Sequence, residues 1–540
     1  GGGNKALVLA MYLTKYGRME TAIFEERHEL GGGWCQEEPA GGFYGNPCSF
    51  HHTAHYHVPV YWDFPEWATY GARYDYTPVS QACAFIEDDT CLVQYVAFPD
   101  VDPDQERTAA EIARFSQRDA DTYLRLWSKA QRHWIPAFLR HMFNPAFPPG
   151  QPDPLDELVL NPEAGIDPLW PFLSPVQIFK DLFEDPHVQQ GSMRAIQSWG
   201  FQADQAASGL PALLSVFVLY PFHCYVVGSS HALAHAAQKV IYEHGGRVFT
   251  NARVEKILVD NGRARGVRLS DGTEVEARRL VATTVDPHQL VFELLPPEVV
   301  PFRVRHRVAN IERDWICLMW YTWAFTERLR FRAEAFEPAV SECMWLGLGD
   351  LDLETFPRES FERKLGRWPS KLSLGIAYHG PSGPCPHDQC LAPPEQPFTY
   401  LTEQFALPAW RFEERWWAEM ARRHAEEVME VLSRYTTNAS WEICAGYIPV
   451  TSYHTANMCR NYAPAGNWCV IDNIPSQSGR LRPIPELARH KVPGIEGLYC
   501  TGSAWHPWGA AHSAQGYNCY KVIAEDLGLA KPWQREGRPF

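Results

Sequence analysis

The sequence has no apolar run that approaches the ~18 residues a membrane-spanning helix needs. The longest candidate, Leu210 to Phe222, is shorter and is interrupted by Pro211 and Pro221. A bitopic or polytopic membrane protein is therefore excluded. There is no basic excess: 49 Lys and Arg stand against 64 Asp and Glu, a formal net charge of −15 over 540 residues. A nucleic-acid binder needs a basic stripe, so that class is excluded as well. The 14 cysteines include no CxxC pair. The nearest approach, Cys385-Pro-His-Asp-Gln-Cys390, has neither zinc-finger nor redox spacing. The cysteines read as reduced, mostly buried thiols of a cytoplasmic protein. No internal repeat stands out. No signal peptide precedes the first element. The chain opens on three glycines without an initiator Met, which leaves open whether residues precede Gly1.

What is present describes an ordered globular chain, 45% hydrophobic and 21% charged. At about 150 residues per domain its length suits roughly three to four domains. Ala6 to Tyr16 is a strong helix-forming run with Gly17 as a natural stop. A short apolar strand, Thr21 to Phe24, follows and ends on Glu25 and Glu26, and the triplet Gly31 to Gly33 then breaks the chain. Residues 107 to 143 read as helical with a break at Pro136, and Asn144 to Pro168 as a Pro-rich connection. A second clear helix spans 229 to 244. A β-meander over 247–250, 254–259, 264–269 and 273–277 is punctuated by Asn261-Gly262 and Asp271-Gly272, both favoured hairpin turns. Leu280 to Thr283 is a further buried strand. A long helix covers about 411 to 435, Ser382 to Pro397 is a loop by composition, Gly497 to Gly502 is a strand into a turn, and a helix starts at Ala514.

Two constellations point to a nucleotide. Gly1-x-Gly3-x-x-Ala6 opens the first helix: the first glycine allows a tight turn, the second a close backbone approach to a pyrophosphate, and Ala6 keeps the helix near a sheet. Phosphates then meet the helix N-terminus, where free N–H groups and the dipole favour negative charge. An acid about 20 residues on binds ribose hydroxyls, and Glu25 ends the next strand at that place, with Glu26 as the adjacent alternative. The C-terminal run Gly502-Ser503-Ala-Trp-His506-Pro507-Trp-Gly509-Ala-Ala-His512 through Gly516-Tyr517-Asn518 again sets small residues before a helix. It reads either as a second ligand approach or as a glycine-rich turn used only for packing.

Two further stretches carry candidate chemistry. His51, His52, His55 and His57 cluster in SFHHTAHYH. On a strand His55 and His57 would share a face, and on a helix His51 and His55 would. No carboxylate or cysteine converges with them, so no metal is assigned, and proton transfer near neutral pH is the preferred role. The window Thr122 to Pro152 holds no acid but carries Arg125, Lys129, Arg132 and Arg140 among many aromatics. It reads either as a surface for anionic membrane or as a helix packed on the core with a solvated basic face.

The glycine start with Phe24-Glu25-Glu26-Arg27 and Gly31-Gly32 resembles the N-terminal FAD signature of phytoene-desaturase-like flavoproteins. That family includes carotenoid desaturases, carotenoid isomerases and retinol saturase. The segment 226–296, with Gly228, Val254-Glu255 and Asp286-Pro287-His288, is similar to the family's central FAD segment. Gly497 to Ser503, His506-Pro507 and Gly516-Tyr517-Asn518 are similar to its C-terminal flavin motif. About half the chain carries the resemblance, which is weak between 300 and 460. It implies FAD in an extended pose. Gly1, Gly3 and Ala6 take the pyrophosphate loop, and Glu25 takes the adenosine ribose. Arg27, Gly31 and Gly32 lie along the diphosphate, and Val254 offers backbone to the adenine. Gly502, Ser503, Gly516, Tyr517 and Asn518 run along pyrophosphate and flavin. Two departures stand against the resemblance: Gly33-Trp34 takes the place of the basic residue often found after the second glycine pair, and the glycine run usual after His-Pro reads Trp508-Gly509-Ala510-Ala511-His512, with large groups where carotenoid enzymes carry small ones.

The expected fold is α/β, a glutathione-reductase-like FAD-binding Rossmann domain interleaved with an α+β substrate domain. The FAD domain is assembled from 1–60, 225–300 and 490–540, and the substrate and cap domain from 61–224 and 301–489. No second glycine-rich nucleotide motif follows a strand, so a built-in NAD(P) domain is not expected. The expected function is FAD-dependent redox chemistry at a C–C or C=C bond of an apolar, isoprenoid-like substrate: desaturation, saturation or isomerisation. His506, His512 and, from the histidine cluster, His55 are the catalytic candidates. A flavin amine oxidase is the second enzymatic reading, and a carrier similar to the Rab GDP-dissociation inhibitors the non-enzymatic one. The expected partners are an apolar small molecule, an electron donor or acceptor left open, and a peripheral membrane through 122–152.

Overall fold

Nearly every residue of the first helix, Asn4–Lys15, is buried. A helix that is apolar all round belongs inside a protein, and this one is flanked by the helices His231–Glu243 and Ala514–Leu527. The approach is close at Gly516, where an added Cβ would lie 2.6 Å from the Lys5 carbonyl oxygen and 3.0 Å from the Leu9 nitrogen. The computed structural model describes residues 1–49, 51–197, 199–379, 398–535 and 537–540. The Cys385–Cys390 pair and the loop expected over Ser382 to Pro397 lie outside the described residues.

Two short parallel pairs sit beside this helix layer. Strand Ala22–Phe24 pairs with Arg247–Phe249, Ile23 opposite Val248. Strand Val281–Thr283 pairs with Leu498–Cys500, Ala282 opposite Tyr499. Three of the four expected meander strands form an antiparallel sheet, Val254–Asp260, Arg263–Leu269 and Glu274–Glu276, turned at Gly262 and Gly272, both with positive φ, while the first, 247–249, is instead the parallel partner of 22–24.

The largest sheet has seven strands, in the order 444–450, 318–325, 398–405, 374–379, 345–349, 79–85, 91–95. All neighbours are antiparallel except 345–349 with 79–85, which run parallel with Leu346 opposite Ala82. Every residue of strand Leu318–Phe325 is buried, because both faces of the sheet are covered. Helix Glu414–Tyr435 lies on one face with Trp417, Val428 and Leu432 packed near Tyr321 and Trp323. Trp320, Trp345 and Leu401 build the core on the other face.

The helical stretch expected over 107–143 is interrupted earlier than Pro136. Helix Glu106–Ala113 stops, and Gln117–Lys129 starts anew with Ser116 as its cap, accepting the Asp119 N–H at 3.1 Å. A π-helical turn, Ala130–Trp134, then joins it to Ile135–Met142. Pro136 falls in the first turn of that last helix, where a missing N–H costs little. The apolar members of this window face inward: Tyr123, Leu126, Trp127, Trp134, Phe138 and Met142 are core, while Arg125 and Arg132 are exposed. Lys129 donates to the Glu163 carbonyl at 2.8 Å, and Arg140 pairs with Glu157. Of the two readings for 122–152, this is the geometry of a helix packed on its own core. Leu210 to Phe222 is likewise core, carried by helix Gly209–Val218. Among the described residues no helix is long and apolar enough to cross a membrane.

Candidate active site

The carboxyl ends of strands 22–24 and 281–283 meet the glycine turn that starts the first helix. In open α/β arrangements this is where ligands bind, and a cavity of ≈ 300 Å³ lies there. The turn is tight because Gly31 N–H donates to Gly2 O at 2.9 Å while Asn4 N–H donates to Gly31 O at 3.0 Å. Gly31 and Gly32 both have positive φ, and a Cβ on Gly31 would lie 2.4 Å from the Trp34 carbonyl oxygen. A Cβ on Gly3, by contrast, would meet nothing within 4 Å. The bare backbone of Gly3 therefore faces space rather than protein. Glu25 is fixed on the cavity wall: one carboxylate oxygen accepts the Gly2 N–H and the other the Arg27 N–H at 2.9 Å.

The structure brings Gly1, Gly3, Glu25, Arg27, Gly32, Val254, Gly502 and Ser503 to this one cavity. It does not bring Gly516, Tyr517 and Asn518 to the cavity wall. Gly516 faces the first helix; the Tyr517 hydroxyl donates to Phe540 O at 3.4 Å, and the Asn518 amide donates to Met142 O at 3.0 Å. These three, expected along the pyrophosphate and flavin, pack among helices in the structure. Gly31 and Ala6 shape the turn and the helix without lining the cavity.

Sequence reasoning missed part of the wall. Residues 457–462, expected in the substrate domain, cross over and line the cavity. Asn461 anchors them: its Oδ1 accepts from Asp286 N and Gln289 Nε2, both at 2.9 Å, and its amide donates to Thr284 O at 3.2 Å. No glycine pattern or charge run marks this segment; it is only the fold that delivers it. Lys5 and Arg253 were missed too, and both line the cavity.

Behind the lining residues Asn4 and Lys5, Lys5 Nζ donates to Ala510 O, while Asn4 Nδ2 and Trp34 Nε1 donate to Ala511 O at 3.4 and 3.1 Å. The loop before the last helix is thus tied to the glycine turn. His512 follows it, buried against Tyr56 and Trp508. Its two ring nitrogens are spent on that loop, Nε2 with Trp508 O at 3.1 Å and Nδ1 accepting Ala514 N–H at 3.3 Å. Burial, then the neighbouring Lys5 and His57, hold His512 well below the usual imidazole range. His506 Nε2 donates to His141 O at 2.8 Å, its Nδ1 has no partner, and burial pushes it down to about 3. His55 lies apart from this group, against Phe222 with ring centroids 4.3 Å apart, and burial lowers it to about 4. His57 was passed over in favour of His55. Both its ring nitrogens are buried without a partner, and its ring packs between Trp34 and Trp67.

The residues present fit an adenosine diphosphate carrying a ring system: an oriented acid for hydroxyls, bare glycine backbone at a helix start, and a loop of small residues beyond. Comparisons with known proteins agree. A family described as flavin containing amine oxidoreductase matches residues 105–313. A limonene dehydrogenase polypeptide of Castellaniella defragrans is 24% identical over 99% of this chain and 95% of its own length. Phytoene desaturase (neurosporene-forming) of Rhodobacter capsulatus is 42% identical over 65 residues, 12% of each chain. Among solved structures, an oxidoreductase from Methanosarcina mazei shares the fold with a TM-score of 0.59 at 12% identity, covering 97% of this chain and 98% of its own. The carrier reading falls away with these matches. The mixed α/β chain with its large sheet is an FAD-dependent oxidoreductase, similar over part of its length to the phytoene desaturases.

Proposed function

We propose that the protein adds or removes hydrogen at a C–C or C=C bond of an apolar, isoprenoid-like substrate. The observation that carries the reading is the cavity at the strand ends, with Glu25 fixed on its wall and Lys5 lining it, tied to the C-terminal loop through Ala510. The glutathione-reductase-like arrangement is part of the same reading: 1–60, 225–300 and 490–540 hold the cofactor, and 61–224 and 301–489 the substrate, with 457–462 lent to the cofactor side. Limonene dehydrogenase and phytoene desaturase, two of the relatives, are named for apolar hydrocarbon substrates.

When bound, FAD supplies the ring that exchanges a hydride with carbon. Glu25 accepts from ribose hydroxyls, and the glycine turn presents N–H groups to the diphosphate. His506 is the better proton-handling candidate than His512, because its Nδ1 lone pair is uncommitted whereas both nitrogens of His512 already bond to its own loop. His57, neutral and unpartnered, is the alternative. Burial among Trp34, Trp67 and Tyr74 excludes water from it.

The test is anaerobic bleaching of the flavin by a panel of monoterpenes, short polyenes and amines. Bleaching by hydrocarbons alone is the expected result. A second reading, amine oxidation, is favoured by the family description matched over 105–313; bleaching by amines with peroxide release in air would replace the first reading with it.

A further inference from the structure

Four cationic residues line the cofactor cavity: Lys5, Arg27, Arg253 and Arg460. Three of them already face an acid. Arg27 pairs with Glu29 at 2.8 Å, Arg253 with Glu26 at 3.7 Å, and Arg460 with Glu293. Lys5 has no carboxylate within reach among the described residues, and its amine donates only to the Ala510 carbonyl. It is 2% exposed, and it stands in the first turn of the helix whose start forms the glycine turn. The titratable groups around it come from three other segments: His52 and His57, His512, and Cys469. All are held neutral by burial, the imidazoles pushed down and the thiol pushed up to about 12. An ammonium group here is a buried charge with nothing to answer it.

Resting on the FAD reading above, we propose that Lys5 is the electrostatic anchor for the cofactor's diphosphate and takes up a proton as the cofactor binds. A helix start with exposed N–H groups already favours an anion at this place, and Lys5 adds the one full charge that no side chain neutralises. Without an anion, burial holds the amine down to about 7. With one beside it, the charged form is favoured again. Binding and protonation are then linked, and the affinity falls as pH rises through the free amine's range.

The experiment is calorimetric titration of the flavin-free full-length chain with FAD and, separately, with ADP. It is run at pH 6.5 and 8.5 in buffers of low and high ionisation heat. The wild type is expected to take up about one proton per FAD at pH 8.5 and much less at pH 6.5. Lys5→Met is expected to abolish the uptake and to weaken FAD and ADP by the same factor, ~10- to 150-fold. Lys5→Arg should keep the affinity while losing the uptake. Absence of proton uptake by the wild type overturns the proposal without any variant, so a Lys5→Met chain that fails to fold does not shield it. Weakened FAD with unchanged ADP also overturns it, since the charge would then serve the ring and not the diphosphate. A wild type that binds neither compound overturns the FAD reading itself.

Discussion

Glu25 has both carboxylate oxygens positioned by backbone N–H groups before any cofactor arrives. A ribose hydroxyl would therefore meet an acceptor that needs no reorganisation. Removing a charge-assisted hydrogen bond costs about 1.5–3 kcal/mol, so Glu25→Ala should weaken FAD ~10- to 150-fold; an unchanged dissociation constant in a flavin fluorescence titration would refute the assignment. The two C-terminal histidines should separate. His506→Ala should lower turnover ~10²- to 10⁴-fold with flavin content and melting temperature near wild type. His512→Ala breaks its bonds to Trp508 O and Ala514 N and should lower the melting temperature instead. Reversed effects would move the proton to His512, and full turnover in both variants would leave His57. At this scale the sequence is readable where spacing is local. Glycine, helix, strand and acid lie within 25 residues, and their register singles out Glu25 as the proposed ribose acid. Gly516 was unreadable for a physical reason: a missing Cβ admits a ligand or a neighbouring helix equally well, and here it admits the Lys5 carbonyl.

Elements were legible where periodicity was strong. The helix expected over 411–435 is Glu414–Tyr435, with the apolar positions Trp417, Ala421, Val428, Leu432 and Tyr435 all buried. Three strands of the expected meander and its Gly turns fall within a residue or two of expectation, while 247–249 has its expected bounds but pairs with 22–24. The window 122–152 shows the limit. Its basic and aromatic residues describe an amphipathic helix, but composition does not say whether the apolar side meets lipid or the core. The structure gives that side to the core, with Trp134 Nε1 donating to Ala164 O at 2.9 Å. Trp134→Ala should therefore cost about 3–5 kcal/mol, read as a lower midpoint of denaturant unfolding. A triple charge reversal at Arg125, Lys129 and Arg132 should leave that midpoint almost unmoved. Loss of liposome sedimentation in the charge variant, with no stability change at Trp134, would restore the membrane interpretation. An α+β substrate domain was legible, but the strands and order of its seven-stranded sheet were not. Its strands come from both sides of the nucleotide-binding segments, and pairing across 260 residues leaves no local mark.

For the molecule as a whole, the buried imidazoles set the acid limit of stability. Burial lowers His52, His223 and His506 to about 3, and His55 and His490 to about 4, against ~6.5 in an unfolded chain. Between those values the unfolded state holds protons that the folded state refuses, so stability falls as pH falls, by up to ~1.4 kcal/mol per pH unit for each group. Glu37 and Asp472, both raised to about 7 by burial, act in the opposite direction but are outnumbered. The melting temperature should be highest above pH 7 and drop steadily to pH 5; a flat or rising profile in a thermal-shift series would mean the histidines are charged in the folded protein. The pairing of early strands with late ones bears on how the protein is made. On the ribosome, strand 22–24 waits for 247–249, strand 79–85 for 345–349, and strand 281–283 for 498–500. At ~5–20 residues per second, synthesis lasts roughly half a minute to two minutes. In stalled nascent chains, protease resistance of the segment around 281–283 should appear only after residue 500 has left the exit tunnel; resistance of that segment in a chain ending at residue 350 would show that it folds without its late partner. A chain cut short before residue 498 would leave strand 281–283, which lines the cofactor cavity, without the partner that holds it.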